Sequence, residues 1–282
     1  MRIALTATPN EARLAPILLR GDVATAFRQA SELGCQGVEL HLRRAEDVDP
    51  KVVKQFMADY GLGVPTLGTG MAAREDGLTF SDPDAEIRAR AVERVCAHIS
   101  LAAEVGSAVT IGVMSGKLGG CEGEERRARR SQALECLAEV CRVAERSGVT
   151  VLLEPLNRYE CDYINTLADV VIVANELGAP NLKLLADTFH MNIEEVDLVA
   201  SLEAVGSRLG LVHLADTNRQ APGHGHMDVV SILQALRTIN YEGYLSFEIL
   251  PVPDAERAIK DGISTVRAAM RAGASKAKTR KR

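Results

Sequence analysis

A glycine followed by a short apolar run recurs seven times along the chain, and this pattern limits most strongly how the chain can fold. The seven glycines are Gly34, Gly61, Gly106, Gly148, Gly178, Gly206 and Gly243, and the runs after them include GVELHL, AVTIGV, VTVLLE, LKLLAD and YLSFEIL. A glycine suits a left-handed helix C-terminus, and a continuous apolar run suits a strand buried on both faces. With the N-terminal RIALT, the pattern predicts eight strands, each followed by a helical segment.

The segment 82–105 is the clearest of these helical segments. Asp82 suits the N-cap and Pro83 the first helical position, and apolar residues then recur every three or four positions. Strands that alternate with helices form parallel sheets, and eight such units predict a (β/α)8 TIM barrel. An open doubly wound sheet is the main competitor, but it ordinarily has a glycine-rich turn after the first strand, where this chain has TATPNEARL.

Composition indicates one soluble domain of 282 residues, with 46% hydrophobic content. We expect residues 1–275 to form the barrel and the basic segment 276–282, KAKTRKR, to be a disordered tail. No apolar run approaches the roughly 20 residues that a membrane span needs, and MRIALTATPN does not resemble a secretion leader. We therefore expect a cytoplasmic protein that does not bind membranes, and the sequence leaves a homo-oligomer open.

Charge and cysteine content exclude further classes of protein. The net charge is -5, but without the basic tail 28 basic residues face 38 acidic ones, so we expect no binding to nucleic acid. The six cysteines contain no CxxC pair, and a chain of this length needs no disulfides to fold. We interpret them as reduced thiols.

Chemistry in a TIM barrel takes place at the carboxyl ends of the strands, and four consecutive predicted strands end in residues that bind metals. These residues are Glu154, Asp187, His213 and Glu248. One acidic residue at a strand end is commonly solvated or caps a helix, but four in equivalent, strongly apolar surroundings favour a shared cation. Three carboxylates and one imidazole suit Mn²⁺, Mg²⁺ or Co²⁺ better than a structural zinc site.

Polar residues gather beside the same strand ends. Asn157, Arg158 and Glu160 follow Glu154, His190 follows Asp187, and Asn218 and Arg219 follow His213. Donors and acceptors of this kind pair with the hydroxyl groups of a buried sugar. We expect the TNRQAPG turn, with Pro222 and Gly223, to direct Arg219 back over the barrel mouth, where Asp216 steadies it.

Four segments resemble one known family. The segments LLEPLNRYE (152–160), LLADTFHMNIEE (184–195), HLADTNRQAPGHGHMD (213–228) and GYLSFEIL (243–250) are similar to the D-tagatose and D-psicose 3-epimerases. These enzymes belong to the xylose isomerase-like barrels of the sugar isomerase/epimerase superfamily. The chain departs from the family pattern at Asp216, where glutamate is usual, and in having no tryptophan.

The resemblance implies roles for seven of these residues. Glu154, Asp187, His213 and Glu248 would bind a divalent metal, commonly manganese. Glu154 and Glu248 would also be the catalytic acid and base, and Glu160, His190 and Arg219 would hold substrate oxygens. The activity implied is metal-dependent epimerisation of a ketose at C3, through a cis-enediolate, with a small sugar as the binding partner.

The residues alone leave the reaction open. Two carboxylates on opposite sides of a ligand suit epimerisation, whereas an aldose–ketose or sugar-phosphate isomerase could use one carboxylate on a single face. An inosose-type dehydratase and a non-catalytic sugar-binding barrel are further alternatives on this fold. A three-zinc endonuclease would need more histidines and a basic cleft. The loop SGKLGG (115–120) could hold a phosphate through Lys117 or serve as a lid.

Overall fold

Eight parallel strands form a closed barrel in the computed structural model of the chain, which describes residues 1–12 and 16–279. The strands are β1 (Arg2–Thr8), β2 (Gly37–His41), β3 (Thr66–Gly68), β4 (Ala108–Ile111), β5 (Val151–Leu153), β6 (Leu182–Asp187), β7 (Leu209–His213) and β8 (Tyr244–Phe247). Each pairs with the next, and β8 closes the barrel on β1, with Phe247 opposite Leu5. A two-residue strand, Leu19–Arg20, also pairs with the end of β1. The predicted (β/α)8 barrel is confirmed.

Helices surround the barrel and connect successive strands. They are α1 (Val23–Glu32), α2 (Pro50–Tyr60), α3 (Gly70–Asp76), α4 (Ala85–Val105), α5 (Gly123–Arg146), α6 (Leu167–Leu177), α7 (Thr188–Glu194), α8 (Leu198–Val205), α9 (Val229–Thr238) and α10 (Ala255–Thr279). The start predicted for α4 was wrong by two residues. Asp84 is its N-cap and accepts a 2.8 Å hydrogen bond from Glu86 N, while Asp82 accepts one from Asp84 N in the turn before it.

The predicted glycine joints hold with two exceptions, Gly206 and Gly243. Gly206 ends α8 with φ 53°, but its ψ of -128° lies outside the left-handed helical region. Gly61, Gly106 and Gly178 end their helices in the left-handed conformation, where glycine has no steric penalty. Gly243 does not end a helix, because α9 stops at Thr238 and Asn240 takes the left-handed conformation there, with φ 55°. Gly243 is small for another reason: a Cβ on it would lie 2.4 Å from the Tyr241 ring.

The inside of the barrel has an apolar floor below its carboxyl end. Leu152, Leu185 and Leu211 form a buried cluster separate from the main core between strands and helices. Each lies two residues before one of the predicted metal ligands, and alternate residues of a strand point to the same face. The residues at 154, 187 and 213 therefore stand above this floor, inside the barrel.

Several predictions concern the whole chain rather than the barrel. All six cysteines are free thiols, as predicted. Among the described residues, no helix is both long and apolar enough to cross a bilayer. Of the predicted basic tail, 280–282 lie outside the described residues, so its disorder stays a prediction, as does the domain boundary at 275.

Candidate metal centre and active site

Four side chains converge at the carboxyl end of the barrel. Glu154 follows β5, Asp187 and His213 end β6 and β7, and Glu248 follows β8. Their ligand atoms all lie within 4.8 Å of one another, a spacing that one cation with bonds of about 2 Å could bridge. His213 Nδ1 is at the centre, 3.2 Å from Glu154 Oε1, 3.5 Å from Glu248 Oε2 and 3.7 Å from Asp187 Oδ2. The four residues predicted to meet therefore do so.

Asp187 shows that the cluster fits a cation. Its Oδ1 caps α7 by accepting hydrogen bonds from the backbone N–H groups of Phe189 and His190, at 2.8 and 3.4 Å. Its Oδ2 is fully buried, faces the other three groups, and has no hydrogen-bond partner among the described residues. Arg219 Nη2, 3.3 Å away, compensates part of the charge of this oxygen, and a divalent cation would bind it directly. The cluster could hold a divalent metal.

The surroundings give the two glutamates different pKa values. Burial raises the pKa of the Glu154 carboxyl above its ordinary value. Burial would also raise the pKa of Glu248, but the charges of Arg219 and His213 hold it at about 2. Burial lowers the pKa of the His213 imidazole, but the negative charges of Glu39 and Glu248 raise it by more. The pKa of His213 therefore lies well above its ordinary value.

Arg219 bends back over the cluster from the loop after β7. Its backbone has φ 59°, a conformation that residues with a Cβ seldom adopt, and its carbonyl accepts a 2.8 Å hydrogen bond from Leu250 N. The guanidinium stacks on the Phe189 ring, with its carbon 4.7 Å from the centroid, and Nη2 donates to Glu248 Oε2. Arg219 thus reaches the position over the mouth that the sequence predicted.

Asp216 holds the loop that carries Arg219. Its carboxylate accepts hydrogen bonds from the backbone N–H groups of Thr217, Gly223 and Met227, at 2.8, 2.7 and 3.0 Å. Burial would raise its pKa, but these N–H groups lower it below the ordinary value. Asp216 therefore steadies Arg219 through hydrogen bonds to the loop backbone.

Glu154, His213 and Glu248 lie at the base of a cleft, which is also lined by the three predicted substrate residues. His190 Nε2 lies 3.2 Å from Arg219 Nη1, and its Nδ1 lies 2.7 Å from Asn157 Nδ2. Glu160 accepts from Asn157 Nδ2 at 3.2 Å and from Arg74 Nη2 at 2.8 Å. The donors and acceptors that line this cleft suit hydroxyl and carbonyl oxygens.

Other polar residues beside the strand ends do not belong to the cleft. Arg158 is 62% exposed and pairs with Glu194, with Nε 3.0 Å from Oε1. Asn218 donates to the carbonyl of His224 within its own loop. In the SGKLGG loop, Lys117 donates to the carbonyl of Tyr159, and Leu118 N donates to Asp162 at 2.8 Å. The loop's groups bind the protein itself, which does not favour a phosphate cradle.

Sequence reasoning missed Glu39 and His41, both on β2. Glu39 is fully buried, and its two oxygens lie 3.0 and 3.2 Å from His213 Nε2. His41 lines the cleft and lies 3.0 Å from Glu39 Oε1. A signal was present in GVELHL, because a carboxylate and an imidazole two residues apart share one face of an otherwise apolar strand.

One protein family and several known epimerases are similar to this chain. The family described as xylose isomerase-like TIM barrel matches residues 27–269. The L-ribulose 3-epimerase of Mesorhizobium japonicum is 32% identical over 229 residues, covering 81% of this chain and 76% of that protein. The 3-dehydro-D-guloside 4-epimerase of Escherichia coli K12 is 39% identical over 141 residues, covering 49% and 53%. A solved structure of L-ribulose 3-epimerase is 26% identical, with a TM-score of 0.80 and coverage of 99% and 97%.

Proposed function

We propose that this chain, which belongs to the xylose isomerase-like TIM barrel family, is a metal-dependent epimerase that interconverts ketoses at C3. The observation that carries the proposal is the position of Glu154 and Glu248. Both reach His213 Nδ1, from β5 and from beyond β8, at the base of a cleft lined by the side chains that the sequence predicts to bind a sugar. L-ribulose 3-epimerase relatives that cover most of the chain support this choice of reaction.

Glu154, Asp187, His213 and Glu248 would hold the cation, for which we propose Mn²⁺, with Mg²⁺ and Co²⁺ as alternatives. When bound, the cation supplies stabilisation for negative charge on the sugar oxygens beside the acidic carbon. Arg219 and His190 point into the same cleft and add N–H donors for those oxygens. Glu160 offers acceptor oxygens to the hydroxyl groups of the sugar.

The reaction needs two proton transfers on opposite faces of one carbon. One of the two glutamates removes the C3 proton, and the electron pair of that C–H bond moves toward the C2 carbonyl to give a cis-enediolate. The other glutamate returns a proton to C3 from the opposite face, and the carbonyl forms again. Since Glu154 and Glu248 are held by different strands with β6 and β7 between them, they can flank a ligand in the cleft.

A second candidate is epimerisation at C4 of a 3-keto sugar. The E. coli 3-dehydro-D-guloside 4-epimerase favours it, because that relative is 39% identical over about half of this chain. In both reactions the proton removed is on the carbon next to a carbonyl, so the same two glutamates could serve either one. The difference would lie in which sugar the cleft accepts.

Solvent exchange distinguishes these reactions. We would incubate the Mn²⁺-loaded protein in D₂O with ketopentoses, ketohexoses, their phosphates, a 3-keto glucoside and an inosose, and locate deuterium by NMR. Deuterium at C3 of a recovered ketose is expected, whereas deuterium at C4 of the 3-keto sugar would favour the second candidate. Label at C1 or C2 together with an aldose would indicate an isomerase, and loss of water from an inosose a dehydratase. Binding without turnover or any need for metal would indicate a sugar-binding barrel.

Substitution tests the two glutamates directly. Glu154→Gln and Glu248→Gln should each lower the exchange rate by about 100-fold or more, because the acid–base group is lost while the side-chain shape is kept. Glu203→Gln, at an exposed position of α8, is the matched control and should exchange like the unsubstituted protein. If the double variant still exchanged protons, neither glutamate would belong to the mechanism.

We also propose that the enzyme works in the cytoplasm. The six cysteines are free thiols, and three of them are buried in the fold. A chain with this many unpaired thiols suits a reducing compartment.

A further inference from the structure

Glu39 is a buried carboxylate for which the proposed reaction has no use. It stands in the middle of β2 with no exposed surface, among strand residues that are otherwise mostly apolar. Burying a carboxylate costs several kcal/mol unless partners compensate for the lost water. Two imidazoles lie beside it: His213 Nε2 contacts its two oxygens at 3.0 and 3.2 Å, and His41 Nε2 is 3.0 Å from Oε1 but makes no hydrogen bond among the described residues. We therefore expect this buried, energetically unfavourable carboxylate to have a role in the protein.

The ring of His213 divides its two nitrogens between different neighbours. Nδ1 faces Glu154, Asp187 and Glu248, at 3.2 to 3.7 Å. Nε2 faces both carboxylate oxygens of Glu39, at 3.0 and 3.2 Å. An ionised carboxylate can only accept hydrogen bonds, so Nε2 donates to Glu39, and a cation bound at Nδ1 would take the place of the hydrogen on that nitrogen. In a neutral ring the lone pair then belongs to Nδ1, on the side of the three carboxylates.

We propose that Glu39 is a positioning residue for the metal site, which holds His213 in the tautomer and orientation that present Nδ1 to the cation. This inference rests on the metal binding in the proposed function. A carboxylate that accepts from the far nitrogen of a metal-binding histidine fixes the ring and makes the ligand nitrogen more basic. Because Glu39 reaches His213 with both oxygens, the ring can neither flip nor turn without losing these contacts.

His41 offers a competing explanation for Glu39. It borders the cleft and is in reach of the same carboxylate, so Glu39 could serve to hold His41 rather than His213. The two roles separate cleanly, because His41 is not one of the four residues that could hold the metal. Replacing His41 should then leave metal affinity largely intact, while replacing Glu39 should weaken it.

The experiment is a calorimetric titration of the metal-free full chain with MnCl₂. We compare the unsubstituted protein with Glu39→Gln, which keeps an acceptor and loses the charge, and with Glu39→Leu, which loses both. Expected losses in Mn²⁺ affinity are about 10-fold for Glu39→Gln and about 100-fold for Glu39→Leu. His41→Ala, the matched control, should stay within about threefold, because water from the cleft can fill the space.

Melting temperatures with and without Mn²⁺ give a second readout. A merely structural role for Glu39 would lower the melting temperature of the metal-free protein and leave the increment from Mn²⁺ unchanged. The proposal requires that increment to shrink in both Glu39 variants, and the isosteric Glu39→Gln decides the matter if Glu39→Leu does not fold. Glu39 variants that bind Mn²⁺ as tightly as the unsubstituted protein, or a His41→Ala variant that loses as much affinity as they do, would overturn it. If the unsubstituted protein bound no Mn²⁺, the proposed function would fail instead.

Discussion

The guanidinium of Arg219 lies 3.3 Å from Asp187 Oδ2, the buried carboxylate oxygen that has no hydrogen-bond partner in the described part of the chain. The same guanidinium donates to Glu248 and approaches His190. Arg219 therefore places a permanent positive charge at the border between the candidate metal ligands and the substrate cleft. A charge there can stabilise negative oxygens of a reacting sugar, and it also opposes the charge of an approaching cation.

Replacing Arg219 by alanine should separate these two effects. We expect kcat/KM on the substrate found by the exchange assay to fall by about 100-fold, the usual loss when one donor to a developing oxyanion is removed. Mn²⁺ affinity, measured by calorimetry, should stay equal or become tighter because a positive charge has left the site. Arg208→Ala, in the turn before β7, is the control. Unchanged kinetics in Arg219→Ala would make the loop merely structural.

Gly112 should matter because it leaves room for Glu154. A Cβ at Gly112 would lie 2.3 Å from Glu154 Oε2, closer than real contacts allow. Gly112→Ala should displace that carboxylate and lower kcat by about 100-fold, the scale expected for a misplacement of about 1 Å, without unfolding the barrel. Gly120→Ala is the matched control, since a Cβ there meets nothing within 4 Å. Equal rates for both variants would show that the reaction does not depend on the exact position of the Glu154 carboxylate.

Metal removal should destabilise the chain as well as inactivate it. A cation that binds only the folded state stabilises it by about 2.7 kcal/mol when its free concentration is 100 times its Kd. We expect EDTA to lower the melting temperature and abolish exchange, and Mn²⁺ to restore both. A variant in which Glu154, Asp187, His213 and Glu248 are all replaced by residues that do not bind metals should melt at the same temperature with and without Mn²⁺. Activity that survives chelation would argue against a catalytic metal.

The strand ends could be predicted from the sequence because their signal is local. Each of the four metal-ligand candidates closes an apolar run, and the barrel fold alone brings strand ends together. Glu39 could not be paired with His213 in this way, since the two are 174 residues apart and meet only when the barrel closes. The position of Glu39 in an apolar strand was visible, but its partner depended on the register of strands far apart in the chain.

The sequence also could not define where a helix begins or ends when two nearby residues could both cap it. Asp82 and Asp84 both suit a helix N-cap, and the choice of Asp84 leaves Asp82 to cap the preceding turn. Gly243 fitted the pattern of helix-ending glycines, yet Asn240 takes that role, because asparagine also tolerates the left-handed conformation. The energies of two such caps differ little, so the tertiary packing around them decides which one forms.

The carboxylate of Asp76, at the end of α3, should make stability depend on pH. Asp76 Oδ1 accepts a 3.0 Å hydrogen bond from Arg43 Nε, and Oδ2 accepts one of 2.7 Å from Arg94 Nη1. The hydrogen bond from Arg43 outweighs burial and, with Arg94, lowers the pKa of Asp76 to about 2. A lowered pKa means that the ionised, paired form stabilises the fold above about pH 4, and that this stabilisation is lost as the pH falls toward 2.

Asp76→Asn should therefore cost about 1 to 2 kcal/mol of unfolding free energy at pH 7, with the value kept low because Arg43 is 41% exposed. Urea unfolding of both proteins at pH 7, 5 and 3 checks the dependence: the difference should be constant between pH 7 and 5 and fall to about half by pH 3. Asp59→Asn, at an exposed position of α2, should change stability by less than about 0.5 kcal/mol at every pH. If the difference in stability between Asp76→Asn and the unsubstituted protein instead grew as the pH fell, the ion pairs with Arg43 and Arg94 would not be the source of the stabilisation.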